Sequence, residues 1–238
     1  MKKEIYKIIL GDVIMFFDRT FILLIPAIII SFWAQAKVSS TFEKYSRIRS
    51  RNGYTGSEVA RRILDAAGLS DIPIEIIPGK LTDHYDPSNR VMRLSPEVFH
   101  GDSVSAIGVA AHESGHAIQH KEHYAPLEIR NSIVPVVNFS SGASWIIFFL
   151  GIIFSIPFLA RIGVILFAAV VIFQLITLPV EFNASNRAVD ILESRAILMG
   201  EEVRGAREVL SAAAMTYVAA ALMAVLNLIR LIAISRRD

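Results

Sequence analysis

The chain has 238 residues, of which 53% are hydrophobic, with a mean hydropathy of +0.50 and a formal net charge of +2. Soluble domains are usually about 45–50% apolar, so this composition favours a membrane protein. The small net charge, with no long basic run, excludes nucleic acid as an expected partner. Cysteine is absent, so disulfides are excluded and a transition-metal site would have to use His, Asp or Glu.

Four uncharged apolar segments are long enough to form membrane-spanning helices, which need about 20 residues each. They cover residues 20–36, 131–160, 162–180 and 209–229. The first is not interpreted as a cleaved signal peptide, because it is long and no typical cleavage site ends it. The second and third predict a helical hairpin with Arg161 and Gly163 near its turn.

Four spans place both termini on one side of the membrane and the polar segments 37–130 and 181–208 on the other. The distribution of basic residues favours a cytoplasmic position for those polar segments, in a multi-pass protein of the cell membrane. We therefore expect an α-helical integral membrane protein with about four transmembrane helices and a small α+β, zincin-like catalytic insert. The predicted segments are 1–36 (N-terminal segment and first span), 37–130 (catalytic insert), 131–180 (transmembrane hairpin), 181–208 (third-ligand helix) and 209–238 (last span and tail).

Local patterns within the insert predict both helices and strands. Thr55 and Glu58 have the spacing of a capping box and predict the start of a helix. The alternating isoleucines of residues 72–76, followed by residues 83–94 with a central turn, predict a small antiparallel sheet with a hairpin. A further helix is expected from about residue 103 to residue 120.

That further helix contains the pattern His-Glu-x-x-His at His112, Glu113 and His116. Histidines at positions i and i+4 lie on one helix face and can bind one zinc ion together. The glutamate next to the first histidine can then act as general base on the water that the metal activates. We predict His112 and His116 as zinc ligands and Glu113 as the catalytic residue.

Catalytic zinc sites use three protein ligands and keep one position open. Glu181 is the predicted third ligand, because it directly follows an uncharged span on the same side of the membrane as the insert. His120 and Asp190 are the alternatives. His120 lies about 12 Å from His112 along the helix axis, which disfavours it.

Several polar residues are candidates for substrate contacts. His84, Tyr85 and Asn183 are the predicted substrate-binding residues. His123 and Tyr124 are further candidates, with His84, for donating a hydrogen bond to an oxyanion. Each of these five also has the plainer interpretation of an ordinary polar loop or helix residue.

Together these segments resemble the YugP-type membrane zinc metallopeptidases, a bacterial family of neutral zinc proteases. The resemblance covers nearly the whole chain after about residue 16 and is more specific than the zinc motif alone. It rests on residues 23–27 (LLIPA), 34–38 (AQAKV), 81–87 (LTDHYDP), 109–120 (VAAHESGHAIQH), 178–185 (LPVEFNAS) and 212–220 (AAAMTYVAA).

The resemblance implies zinc as the cofactor, with His112 and His116 as ligands and, by likeness to related membrane proteases, Glu181 as the third. Those related enzymes carry a Glu-x-x-x-Asp signature, but the fifth position here is Ser185. The carboxylate that usually accepts a hydrogen bond from a zinc-binding histidine is therefore missing from that position. Asp190 or a backbone carbonyl is expected to replace it.

The predicted function is a membrane-embedded zinc endopeptidase that cleaves membrane-associated proteins or peptides, with the substrate and the lipid bilayer as partners. A non-catalytic metal-binding membrane scaffold is the alternative, and the intact Glu113 argues against it. An intramembrane-cleaving protease is disfavoured because Asp102 and residues 120–123 flank the zinc helix with charge or polarity. A transporter is disfavoured because the last three predicted spans carry no charge. The oligomeric state is not predicted.

Overall fold

The computed structural model describes residues 19–236. Residues 1–18 of the predicted N-terminal segment and the last two residues of the predicted tail lie outside that range. The described part of the chain begins with a 3-10 helix, Arg19–Leu24. Then follow α1 (Ile25–Ser46), α2 (Gly56–Ala66), β1 (Ile74–Ile76), β2 (His84–Asp86), β3 (Val91–Leu94), α3 (Pro96–His100), α4 (Val104–Lys121), α5 (Ala125–Ile153), α6 (Pro157–Ser194) and α7 (Glu201–Ser235).

Four helical segments of the described chain are long and apolar enough to cross a membrane, as the sequence predicts. They are Thr20–Ser46, Ala125–Ile153, Pro157–Ser194 and Glu201–Ser235. The helix Ala125–Ile153 begins and ends several residues earlier than the predicted segment 131–160. The other three are longer than the apolar segment predicted for each of them, because polar residues continue the same helix beyond its apolar part. The predicted third-ligand helix is therefore not separate: Glu181 lies inside α6, two residues after Pro179.

The turn of the predicted hairpin lies earlier in the chain than expected. α5 ends at Ile153 and α6 begins at Pro157, so Arg161 and Gly163 belong to the first turns of α6 and the prediction was wrong here. Proline at the first helical position needs no hydrogen-bond acceptor for its nitrogen, so it suits a helix start. The turn itself is apolar, which is why the charge pattern did not reveal it.

The described residues fall into two compact units. One comprises residues 33–132 and 175–218, and the other comprises the remaining parts of the long helices. The first unit has a core of buried side chains that includes Ile63, Leu64, Met92, Ile107 and Leu192. The second has its own core, which includes Phe148, Phe167 and Leu231.

The sheet of the first unit has three strands in the order β1-β3-β2. β2 pairs with β3 in antiparallel fashion, as the predicted hairpin requires, with Tyr85 opposite Met92. β1 pairs with β3 in parallel fashion, with Ile74 opposite Met92. The prediction of an all-antiparallel sheet was therefore wrong, because β3 pairs on both sides and separates β1 from β2.

Capping explains where the short helices of this unit begin. The Thr55 hydroxyl accepts a hydrogen bond from the Glu58 backbone N–H, and the Glu58 carboxylate accepts one from the Thr55 N–H, which confirms the predicted capping box. α3 has Pro96 at its start. Ser103 caps the start of α4, and its hydroxyl accepts a hydrogen bond from the Ala106 N–H at 3.2 Å.

Candidate metal centre

The helix α4 carries the His-Glu-x-x-His pattern, and 14 of its 18 residues are buried. Gly115, inside the pattern, faces the backbone of Ala184 in α6. A Cβ atom at Gly115 would lie 2.8 Å from the carbonyl oxygen of Ala184. Only glycine therefore allows the two helices to come this close, and the contact brings Glu181 of α6 to the histidines of α4.

The side chains of His112, His116 and Glu181 converge on one point. Glu181 Oε2 lies 3.3 Å from His112 Nε2 and 3.5 Å from His116 Nε2. Ligand atoms at the corners of a tetrahedron around zinc lie about 3.3–3.6 Å apart when each is about 2.0–2.2 Å from the metal. The three residues form the one group of this kind found among the described residues, and their spacing fits a zinc ion.

Glu181 Oε2 is buried and has no hydrogen-bond partner within residues 19–236. An unpaired buried carboxylate oxygen is costly, so such an atom normally has a cation or a donor beside it. The two histidine Nε2 atoms lie 3.3 and 3.5 Å from it, and their protonation decides whether they can donate to it. That protonation follows from the partners of the other ring nitrogen in each histidine.

The Nδ1 atom of His116 lies 3.0 Å from Gln119 Oε1. The amide nitrogen of Gln119 donates to Val180 O and Asn183 Oδ1, both at 2.9 Å, so its oxygen must be the acceptor for His116. The Nδ1 atom of His116 therefore carries the proton, and in the neutral ring the Nε2 lone pair points towards Glu181.

His112 has a corresponding partner in Ser185. The Ser185 hydroxyl lies 3.2 Å from His112 Nδ1 and can accept a hydrogen bond from its N–H. The expectation that Asp190 or a backbone carbonyl would take this place was wrong: Asp190 is exposed, and the serine at the signature position itself makes the contact. The hydroxyl performs the orienting role that the carboxylate has in the related signature.

Glu113 is buried beside this cluster, with 8% of its surface exposed. The backbone N–H of Tyr85 in β2 donates to Glu113 Oε2 at 3.0 Å. Burial, together with the nearby charge of Glu181, raises the pKa of Glu113 to about 7. A carboxyl group with a pKa near neutrality can both accept and release a proton at that pH.

Beside the cluster is a cavity of about 200 Å³. Arg130 enters it from α5, and its Nη1 atom lies 3.2 Å from Glu181 Oε1. Arg130 thus binds one carboxylate oxygen of Glu181, while the other oxygen faces the histidines. The full lining consists of Asp83, His84, Tyr85, Pro87, Glu113, His116, Leu127, Arg130, Glu181 and Tyr217.

Comparison with known proteins agrees with a metal site formed by His112, His116 and Glu181. The family model described as "Putative neutral zinc metallopeptidase" matches residues 20–236. The chain belongs to this family. A relative in Bacillus subtilis (strain 168), named "Putative membrane protease YugP", is 54% identical over 212 residues, which cover 89% of this chain and 94% of the relative.

The resemblance to the YugP-type family that the sequence indicated is thereby confirmed. No solved structure matches the chain, so the zincin-like character of the insert stays a prediction. The description of the family names zinc, and membership therefore implies zinc as the metal. The cluster of His112, His116 and Glu181 is the place in the described chain that could hold it.

Among the predicted substrate-binding residues of this family member, His84 and Tyr85 line the cavity and Asn183 does not. Asn183 Oδ1 instead accepts hydrogen bonds from Gln119 and from Arg187 Nε, the latter at 2.7 Å. It therefore supports Gln119, which orients His116, and lies behind the metal cluster.

The other polar candidates lie away from the cluster. Nδ1 of His120 pairs with the Tyr85 hydroxyl at 2.9 Å. His123 is exposed and pairs with Glu128 at 2.7 Å, and the Tyr124 hydroxyl donates to Pro179 O at 3.5 Å. None of these three lines the cavity next to Glu113.

Three residues of the site were not predicted: Gln119, Arg130 and Tyr217. Each carried a signal in the sequence that could have found it. Gln119 lies at i+3 from His116, Arg130 is the last charge before a long uncharged span, and Tyr217 is a hydroxyl inside an alanine-rich apolar stretch. Polar groups at such positions are more often functional than polar groups on a solvated surface.

Proposed function

We propose that this chain is a zinc-dependent endopeptidase embedded in the membrane. The observation that carries the proposal is the convergence of three acceptor atoms, Glu181 Oε2 and the two histidine Nε2 atoms. When both histidines are neutral and donate through Nδ1, only lone pairs face the carboxylate, and such an arrangement needs a cation among them. The adjacent buried Glu113 supports catalysis over a purely structural metal site.

His112, His116 and Glu181 would hold the zinc, and their atoms leave room for a fourth position, as catalytic zinc sites require. Bound zinc supplies a Lewis acid, which polarises a peptide carbonyl and makes a water molecule more acidic. Gln119 and Ser185 hold the two imidazole rings in the tautomer that presents Nε2 to the cation. A carboxylate ligand together with two histidines suits zinc, and the absence of cysteine ligands fits the composition.

Glu113 is the proposed general base. Its carboxylate accepts the proton of the attacking water and then passes that proton to the nitrogen of the leaving amine. The Tyr85 N–H holds the Glu113 Oε2 atom in place, which leaves the other oxygen for proton transfer. Water is excluded from much of this site, because Glu113 and Glu181 are both buried, and charge–charge interactions are stronger in such surroundings.

The cavity also supplies donors for the oxygen of the scissile carbonyl. Tyr217 lines it and carries a hydroxyl that can donate a hydrogen bond. His84 lines it too, but its Nδ1 donates to Thr82 O at 2.9 Å and its Nε2 faces Arg93 Nη1 at 3.5 Å. We assign Tyr217 as the candidate for stabilising negative charge on that oxygen, and Arg130, one of whose nitrogens is bound to Glu181, as the residue that positions the third ligand.

The edge strand β2 is the proposed docking place for the substrate. β2 is at the end of the strand order, and the Tyr85 N–H points away from β3 towards Glu113. The outer edge of the sheet therefore faces the metal helix, and an extended peptide laid along it would pass the site. The substrates we propose are membrane-associated proteins or peptides, since strand addition needs an extended segment.

The long apolar helices are consistent with a multi-pass protein of the cell membrane, and the relative is named as a membrane protease. We propose that the unit with the metal cluster lies on the cytoplasmic face, on the basis of the positive-inside rule. Alkaline phosphatase fused to the loop after α1 would be inactive in that orientation. Active fusions at this loop would instead place the unit with the metal cluster on the opposite face of the membrane.

The test of the proposed function combines metal content with activity. Purified wild-type protein should contain about one zinc per chain, and Glu181→Ala should lose it or bind it far more weakly. Glu113→Gln should keep the zinc while losing nearly all peptidase activity on an unfolded membrane-protein substrate. Asp190→Asn, which changes an exposed residue of α6 outside the cavity lining, serves as a control that keeps both the zinc and the activity.

Two results would contradict the proposal. Tight zinc in Glu181→Ala would show that another residue is the third ligand. Full biological activity of Glu113→Gln in cells would show that the protein acts as a metal-binding scaffold and not as a peptidase.

A further inference from the structure

A second groove of the same unit, separate from the metal cavity, runs between α1 and α7 and has a volume of about 420 Å³. That volume is within the range of about 300–1,000 Å³ typical of small-molecule sites. The peptidase mechanism uses none of its residues. We define the interfacial groove as Trp33, Lys37, Arg204, Arg207, Glu208, Ser211, Ala212 and Met215.

The two helices that form the interfacial groove run in opposite directions. Lys44 Nζ of α1 lies 3.2 Å from Glu208 Oε2 of α7, and a Cβ atom at Gly205 would lie 2.5 Å from Tyr45 Cε1. Moving towards the N-terminus of α1 therefore corresponds to moving towards the C-terminus of α7. Trp33 and Met215 lie at one end of the groove, and Arg204 lies at the other.

Both helices change from apolar to charged along the interfacial groove. Residues 20–36 of the first apolar segment carry no charge, and Lys37 follows directly. Residues 209–229 are also uncharged, and Glu208 directly precedes them. The groove thus extends across the level at which two membrane helices leave the hydrocarbon, where tryptophan and basic residues are typically found. Trp33 is 53% exposed at that level.

The charge of the interfacial groove is predominantly positive. It contains three basic residues and one acidic residue, and the acidic Glu208 is already paired with Lys44. Arg204 contacts Glu201. Lys37 and Arg207 form no ion pair with any residue between 19 and 236. Two exposed cations without a direct ion-pair partner, beside the apolar side chains of Trp33, Ala212 and Met215, match a ligand that joins an anion to a hydrocarbon chain.

We propose that the interfacial groove binds an anionic phospholipid. Its phosphate group lies between Lys37 and Arg207, with Ser211 available as a hydrogen-bond donor, and an acyl chain lies along Trp33, Ala212 and Met215. Basic residues at a membrane surface attract anionic headgroups, and each contributes a factor of about five to the affinity. This inference depends on the membrane embedding of α1 and α7 and is independent of the peptidase reaction.

Tryptophan fluorescence can test the proposal, since the chain has only two tryptophans, Trp33 and Trp145. Trp145→Phe leaves Trp33 as the only reporter. The full-length variant in mixed micelles is titrated with phosphatidylglycerol brominated near the glycerol end, and separately with phosphatidylcholine that carries the same chains. We expect phosphatidylglycerol to reach half-maximal quenching at a mole fraction about 25-fold lower, from two cations at about fivefold each.

Matched variants, made in the Trp145→Phe background, separate the groove from the overall charge. Lys37→Gln/Arg207→Gln should remove the preference for phosphatidylglycerol, and Lys37→Arg/Arg207→Lys should keep it. Arg47→Gln/Arg195→Gln removes the same charge from exposed positions outside the groove and should also keep the preference. Gel filtration and circular dichroism identify any variant that has not folded, in which case the charge-conserving pair provides the test.

Three outcomes would overturn the proposal. Equal quenching by the two lipids would show that the groove does not select an anionic headgroup. An equal loss of preference in Arg47→Gln/Arg195→Gln would assign the effect to long-range surface charge. Abolition of the preference by inorganic phosphate, at matched ionic strength, would assign the groove to a soluble anion instead of a lipid.

Discussion

Replacement of Gln119 by methionine tests how the protein prepares the metal site. Gln119 is fully buried, and methionine has a similar length but neither accepts nor donates a comparable hydrogen bond. The substitution removes the acceptor for His116 Nδ1 at 3.0 Å. It also removes a donor to Asn183 Oδ1, but that atom keeps its bond from Arg187. The buried imidazole N–H is therefore the group left without a partner.

A buried donor without a partner costs about 1–3 kcal/mol. The ring can avoid this cost by rotating, or by moving its proton to Nε2, and both changes take the lone pair away from the metal. Loss of such an orienting partner typically weakens metal affinity about 10–100-fold, which corresponds to about 1.4–2.7 kcal/mol. The two independent estimates agree, so we expect zinc to bind Gln119→Met about 10–100-fold more weakly.

The assay is competition for zinc with a chelator of known affinity, with the protein in detergent. Ser114→Ala is the matched control, since its buried hydroxyl donates to Ala110 O at 2.8 Å on the same helix and touches no ligand. This control should bind zinc within about threefold of the wild type, because a typical hydrogen bond contributes only about 1 kcal/mol to stability. Unchanged zinc affinity in a folded Gln119→Met protein would refute the orienting role of Gln119.

Other substitutions test the remaining contacts of the site. Ser185→Ala should weaken zinc binding about tenfold by removing the partner of His112, and Ser185→Asp should restore or exceed the wild-type affinity, as chelator competition would show. Gly115→Ala should cost about 1–3 kcal/mol and weaken zinc binding, because its Cβ would lie 2.8 Å from a backbone oxygen of α6. Gly108→Ala on the same helix should be tolerated in thermal unfolding, since its nearest contact would be at 3.6 Å. Arg130→Met should destabilise the zinc-free protein by roughly 3 kcal/mol, and the zinc-loaded protein less, because the metal compensates the carboxylate that loses its partner. Equal losses of melting temperature with and without zinc would contradict that reasoning.

The sequence alone determined the features that depend on neighbours along the chain. The two histidines and Glu113 share a helix face because their spacing matches the helical period, whatever the rest of the fold does. The capping box at Thr55 is equally local. The apolar segments were also visible directly, since the length of an uncharged run is a property of composition.

The tertiary structure decided which distant groups meet these local features. Glu181 reaches the histidines because Gly115 lets α6 approach α4 closely, and a spacing of more than 60 residues could suggest that meeting but not establish it. Ser185 and Gln119 acquire their roles only from the same helix contact. No sequence period relates residues on different helices, because packing between elements depends on the shapes of all the side chains at the contact.

Strand order and the polar cavity also depend on contacts between elements that are distant in the sequence. The parallel pairing of β1 with β3 involves residues 18 apart, Ile74 and Met92, and the alternating pattern of a strand does not record the direction of its neighbour. Arg130 and Tyr217 meet at the cavity from two further helices. The sequence therefore determined which residues could perform the chemistry, and the packing of distant helices and strands against one another decided which of them lie together.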